Sequence, residues 1–218
     1  VAGISAGALV LMPWLDRSQF VGDARASSLW YANWHFLRKS SDYFAVDGPE
    51  SPFIHFWSLA IEEQFYLAFP LALLVVWKLR PRIVVLIAAI TAALLGSLAW
   101  QVVLARSDVN RAYLGTDARV YQILTGALLA TIFWRWHIAK PVADRASARR
   151  SVQGASALAL VGFVLVASSA IEVTVSNRGL AATLASAATI GALELGGTSV
   201  VTQVLAWRPI RYLGQISY

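Results

Sequence analysis

The sequence predicts an all-α, polytopic membrane helix bundle, and three observations carry that prediction. Hydrophobic residues make up 58% of the 218-residue chain and charged residues 14%, with a mean hydropathy of +0.60, a balance far from that of soluble domains. Apolar runs of roughly 20 residues, the length that crosses a bilayer core, recur along the chain. Basic residues gather between them: ten of the eighteen Lys and Arg fall in 78–82, 135–150 and 207–211. About six spans plus one interfacial helix account for the pattern.

Each element has its own signature. Residues 1–15 read as the second half of a membrane helix. Gly3-Ile4-Ser5-Ala6-Gly7 formally matches a hydrolase nucleophile elbow, but that motif needs a strand–turn–helix setting, and small residues on an apolar helix serve packing. Residues 29–37 are aromatic, too short to span and flanked by charge, which suits a helix lying in the interface. His35 within it reads as an interfacial residue rather than a ligand. Residues 65–77 open the first complete span, closed by the basic turn 78–82; 83–104 follow with 22 residues free of charge. A polar loop, 106–119, leads to a span at 120–136, and further spans are expected at 152–171 and 179–195. Residues 198–206 are a loop or an interfacial piece before the last basic cluster.

The basic loops set an orientation, because Lys and Arg accumulate on the cytoplasmic side. With 78–82, 135–150 and 207–211 inside, every span alternates correctly, and His55, Glu62 and Asp117 lie towards the outer face. The nine Trp fall at segment ends or in the interfacial piece, as an aromatic belt requires. The expected location is therefore a cell membrane crossed several times, and the Arg-over-Lys, Ala-rich composition points to a bacterial inner membrane. Net charge +6 follows from this topology and implies no nucleic-acid partner. Without cysteine there is no disulfide or thiolate chemistry, and histidines at 35, 55 and 137 offer no local metal motif.

The segment from His55 to Pro70 holds the candidate chemistry. A carboxylate well inside the bilayer costs about 2.5–3.5 kcal/mol, so such residues usually line a protein interior or a wet cavity. On a helix, His55, Ser58, Glu62 and Tyr66 share one stripe, with Glu63 roughly 100° away. Two alternatives stay open here. Glu62 and Glu63 could sit at the membrane surface near a helix N-terminus, where the macrodipole favours them. A helix starting at Ser51-Pro52 would contain His55, whereas a start near Ser58 would leave it in a loop. Thr116-Asp117 likewise admits a capping role; the functional alternative has Arg119 neutralising an anionic group while Glu62 accepts or orients a proton.

The pattern His55-x-Trp57-Ser58-Leu59-x-x-Glu62-Glu63-Gln64-Phe65-Tyr66-Leu67-x-x-Pro70 resembles the signature segment of the type 3 membrane acyltransferases. Thr116-Asp117-x-Arg119 with Leu124-x-Gly126-Ala127-Leu128-Leu129, and Tyr212-Leu213-Gly214-x-Ile216-Ser217-Tyr218, extend the resemblance over most of the chain. It implies a single transmembrane acyltransferase domain over 1–218, truncated at both ends. It also implies O-acyl transfer from cytoplasmic acyl-CoA, typically acetyl-CoA and without a metal, to a hydroxyl of an extracytoplasmic carbohydrate or other acceptor. Partners would be the lipid bilayer, the acceptor and an extracytoplasmic domain outside the fragment. The family's catalytic histidine and its arginine on the first membrane helix have no counterpart here, so the fragment alone is expected to be inactive. Glu62, His55 and Tyr66 are the catalytic candidates, with Asp117, Arg119 and Glu63 lining the substrate site. A proton-coupled transporter or channel subunit is the competing class, since intramembrane carboxylates also build proton relays; the Glu62-Glu63 segment has no repeat in 83–195.

Overall fold

The computed structural model describes residues 17–39, 51–136, 146–168, 175–196 and 200–216. The expected half-helix at 1–15, with its Gly3–Gly7 motif, and residues 137–145 of the basic loop lie outside them. All regular structure among the described residues is α-helical, as the composition predicts. The order is α1 (Arg17–Ser28), α2 (Ala32–Arg38), α3 (Phe56–Leu79), α4 (Ile83–Ser107), α5 (Val109–Leu114), α6 (Thr116–Trp136), α7 (Ala146–Ala167), α8 (Val175–Gly196), α9 (Val200–Leu205) and α10 (Arg208–Ile216). The chain divides into two compact units, Val1–Tyr121 and Gln122–Tyr218.

Two helices of the first unit, α3 with 24 residues and α4 with 25, are long and apolar enough to cross a membrane; 24 residues reach about 36 Å. Their large apolar side chains face outward. Leu67, Leu71, Leu74, Val75 and Leu79 on α3 are exposed, as are Val84, Val85, Leu95 and Val103 on α4. Water would penalise that surface at about 25 cal/mol per Å², whereas lipid accepts it, so the chain folds as a membrane helix bundle. Pro70 lies inside α3 and has no N–H to give to the Tyr66 carbonyl one turn earlier.

Around the first halves of α3 and α6 the packing is of another kind. Phe20, Phe36, Phe53, Trp57, Ile61, Leu114 and Tyr121 are buried, together with the polar Asp23, Asn33, Ser97 and Gln101. The aromatic run 29–37 does not continue as one helix: residues 29 and 30 turn, and α2 begins at Ala32. Ala32, Asn33 and Phe36 are buried, because α2 packs one face onto α3 and α5. The turn is a helix C-terminal motif in which Tyr31 N–H donates to the Ala26 carbonyl at 3.0 Å, and it places Trp30 at φ 59°. That left-handed conformation costs a residue with a Cβ about 1–2 kcal/mol, and glycine normally occupies it.

In the second unit α7 packs against α8, and α9 touches both α7 and α10. Hydroxyls there turn back to their own helices: Thr131 donates to the Ala127 carbonyl, Thr183 to Gly179 and Thr189 to Ala185, at 2.7–2.8 Å. Such bonds satisfy a polar group in an apolar setting without a second helix. α6 and α8 begin four residues before the expected apolar runs and α7 six before, since a polar first turn at a membrane edge costs little.

Candidate functional site

The entry to α3 is built by a buried phenylalanine and a serine. Phe53, fully buried, packs on Phe20 with centroids 5.3 Å apart and on Phe56 at 5.9 Å. Ser51 Oγ accepts from Phe53 N–H at 3.3 Å, and successive turns close from Ile54 to Ser51 and from Phe56 to Phe53 at 2.9 Å. His55 is the residue immediately before α3, with helical backbone angles and no capping bond from its ring. The start thus falls between the two expected from sequence. His55, Glu62 and Tyr66 are exposed, and Ser58 and Glu63 are partly buried, while Trp57, Ala60 and Ile61 face inward. Within the first unit, the polar stripe occupies the face of α3 opposite Trp57, Ala60 and Ile61.

The inner face carries what sequence reasoning passed over. Gln64 Nε2 donates to the Trp30 carbonyl at 2.8 Å and to Asn33 Oδ1 at 2.9 Å. Thr116 Oγ1 donates to Gln64 Oε1 at 2.6 Å, and Asn33 Nδ2 donates to Thr116 Oγ1 at 2.8 Å and to the Leu114 carbonyl at 3.0 Å. Asn33, Thr116 and Gln64 therefore form a closed ring of hydrogen bonds joining α2, α3 and α6. Asn33 is fully buried, and every polar atom of its amide has a partner, which is the condition for a buried polar group to stabilise a fold. The only hint in the sequence was an amide beside two carboxylates.

Asp117 and Arg119 stand at the opening of α6. Asp117 Oδ2 accepts from Arg111 Nη2 at 2.7 Å and from Trp100 Nε1 at 3.0 Å, and its carbonyl accepts from Ser97 Oγ at 2.6 Å. Asp108 caps the preceding helix: it accepts from Arg111 N–H at 2.9 Å and starts α5. The Arg111 guanidinium lies 4.6 Å over the Trp34 ring, and Arg119 lies 4.7 Å over Tyr113 and 5.3 Å over Trp57. Two permanent cations are thus seated on aromatic faces, where the ring quadrupole holds them. Asp117 is tied to Arg111, and Arg119 meets the Trp57 side of α3, whereas Glu62 and Tyr66 occupy its open side. Gly115 makes the approach possible: a Cβ there would stand 2.7 Å from both the Arg111 carbonyl and Asp117 Oδ1.

A second polar cluster anchors α1. The buried Asp23 accepts from His35 Nε2 and Lys39 Nζ, both at 2.8 Å on Oδ1. Burial pushes its carboxyl up, but hydrogen bonds from Lys39, Ser51 and His35 and the Lys39 charge outweigh that and hold it below the ordinary aspartate range. His35, read from sequence as interfacial, is a donor to this carboxylate. Among the described residues no three His, Asp or Glu side chains form a metal-holding group.

Residues 9–218 match the model of a family described as an acyltransferase domain. Among curated proteins, the chain is similar to the peptidoglycan O-acetyltransferase of Listeria monocytogenes, 32% identical over 203 residues, covering 90% of this chain and 32% of that protein. It is also similar to an O-acetyltransferase of Staphylococcus aureus, 28% identical over 201 residues, covering 92% of this chain and 33% of that protein. The chain spans about a third of the length of these relatives. No solved structure matches it.

Proposed function

The chain belongs to the type 3 acyltransferase family, and from that premise we propose that the intact protein is a membrane-bound O-acetyltransferase acting on a cell-envelope glycan. The family match over nearly the whole chain carries the reading, and the name of the Listeria relative directs the acceptor towards peptidoglycan. The donor is an activated acetyl ester, acetyl-CoA being the form the sequence resemblance implies, presented from the cytoplasmic side. The acceptor hydroxyl attacks the acyl carbonyl; a C–O bond forms, the C–S bond breaks, and the hydroxyl proton leaves for the departing thiolate. Such transfer needs a proton acceptor and a positive or hydrogen-bonding partner for the oxyanion.

In this reading Glu62 accepts or orients the hydroxyl proton, with His55 and Tyr66 beside it on the open stripe of α3. Glu63 helps to line the acceptor site. Arg119 supplies permanent positive charge, and Asp117 fixes Arg111 at the entrance of α6. The test is Glu62→Gln in the full-length protein, which keeps the side chain's shape at an exposed position and so should leave folding and membrane insertion intact. Loss of acetyl transfer to peptidoglycan is the expected result, and undiminished transfer would remove Glu62 from the mechanism.

A further inference from the structure

Trp30 is not demanded by the fold. It occupies the left-handed position at φ 59° that ends α1, where glycine would be free of strain and a bulky side chain is an outlier. Among the described residues Arg80, which closes α3 at φ 43°, is the other non-glycine in this conformation; residues held there by their surroundings cluster at active sites and ligand clamps. The surroundings of Trp30 do hold it. The Trp30 carbonyl accepts from Gln64 Nε2 at 2.8 Å and the next N–H donates to Ala26 at 3.0 Å. Both sides of the peptide after Trp30 are therefore locked, one of them to the ring that fixes Thr116 beside Asp117. Yet the residue is 49% exposed.

A rigidly mounted, half-exposed indole offers a flat apolar face at small entropic cost, and its π-quadrupole attracts the C–H-bearing face of a sugar ring. Trp77, Trp100, Trp134 and Trp207 are exposed too, and the aromatic belt accounts for a tryptophan at any of these places as it does for Trp30; what sets Trp30 apart is its backbone, since φ is positive at none of the other four. We propose that Trp30 is a binding platform for the acceptor: its exposed face stacks on a pyranose ring of the glycan and holds the chain at the outer end of the first unit. This rests on the acyl-transfer reading and adds to it the residue that recognises the acceptor. Trp30 acts in binding and takes no part in proton transfer.

The test uses the full-length protein in lipid nanodiscs, with solubilised peptidoglycan fragments as acceptor and the variants Trp30→Gly, Trp30→Phe and Trp30→Leu. Trp30→Gly relieves the backbone strain, so its melting temperature should equal or exceed that of the unaltered protein. Its acceptor KM should nonetheless rise about tenfold with kcat held within about twofold. Trp30→Phe should fall between the two, and Trp30→Leu, apolar but without a ring, should match Trp30→Gly. An unchanged acceptor KM in Trp30→Gly would overturn the platform, and so would a normal KM in Trp30→Leu, which would assign the residue to bilayer contact. If the unaltered protein transfers no acetyl group to these fragments, the functional reading fails and the platform with it; transfer with unchanged KM in the variants removes the platform alone.

Discussion

Replacing Asn33 by alanine removes three hydrogen bonds at once: the two its amide donates, to Thr116 and the Leu114 carbonyl, and the one it accepts from Gln64. At about 1 kcal/mol net for each, the loss is about 3 kcal/mol. Leu114 is fully buried, so any desolvation of its stranded carbonyl adds to that figure. Thr116→Val keeps the side-chain shape and removes two bonds, costing about 2 kcal/mol. One bond belongs to both substitutions, so the double variant should fall about 1 kcal/mol short of the sum. Equilibrium unfolding in mixed micelles, followed by helical circular dichroism, measures all four corners of the cycle. A cost for Asn33→Ala below about 1 kcal/mol, or strict additivity, would show that the ring is not a cooperative unit.

Gly115→Ala should destabilise by about 1–3 kcal/mol, because the new Cβ meets the Arg111 carbonyl at 2.7 Å and backbone cannot step aside; a melting temperature equal to that of the unaltered protein would contradict this. Acidification probes Asp23, whose carboxyl is held below the ordinary range. Its contribution is complete above about pH 4 and is lost as pH falls through the lower folded-state value. The stability gap between the unaltered protein and Asp23→Asn should therefore narrow as the pH falls below about 4, the ordinary aspartate value, and a constant gap would be the contrary result. Arg119→Lys keeps the charge but loses the planar stacking over Tyr113 and Trp57. Donor or acceptor KM should rise several-fold with little change in melting temperature, and steady-state kinetics with each substrate varied in turn will show which one Arg119 serves.

Much of this protein is legible without coordinates because a membrane span is a sum. Twenty apolar residues in a row report themselves whatever they later touch, and α3 and α4 lie where the apolar runs put them. The basic turn 78–82 falls between them as expected, whereas the basic group 207–211 opens helix α10; the family follows from an ordered set of motifs. Local signals fixed less: Ser51 accepts from Phe53 N–H in the turn before α3, but the helix itself starts at Phe56, beyond the Ser51-Pro52 cap the sequence offered, and the carboxylate that caps is Asp108, at the start of α5.

Contacts between distant residues are a different matter. Gln64 meets Asn33 across 31 positions and Thr116 across 52, and nothing in a window of ten residues announces that an amide will close a ring. His35 looked interfacial because its neighbours are aromatic; its partner Asp23 lies in the preceding helix, and only the reversal at Trp30 brings them to 2.8 Å. Helix periodicity put His55, Glu62 and Tyr66 on one stripe, but which side of α3 would be covered depended on where α2 and α6 came to rest. Hydrophobic runs decide that a chain enters the bilayer; the pairing of a few polar groups, far apart along the chain and each intolerant of being left unbonded, decides how its helices meet once there.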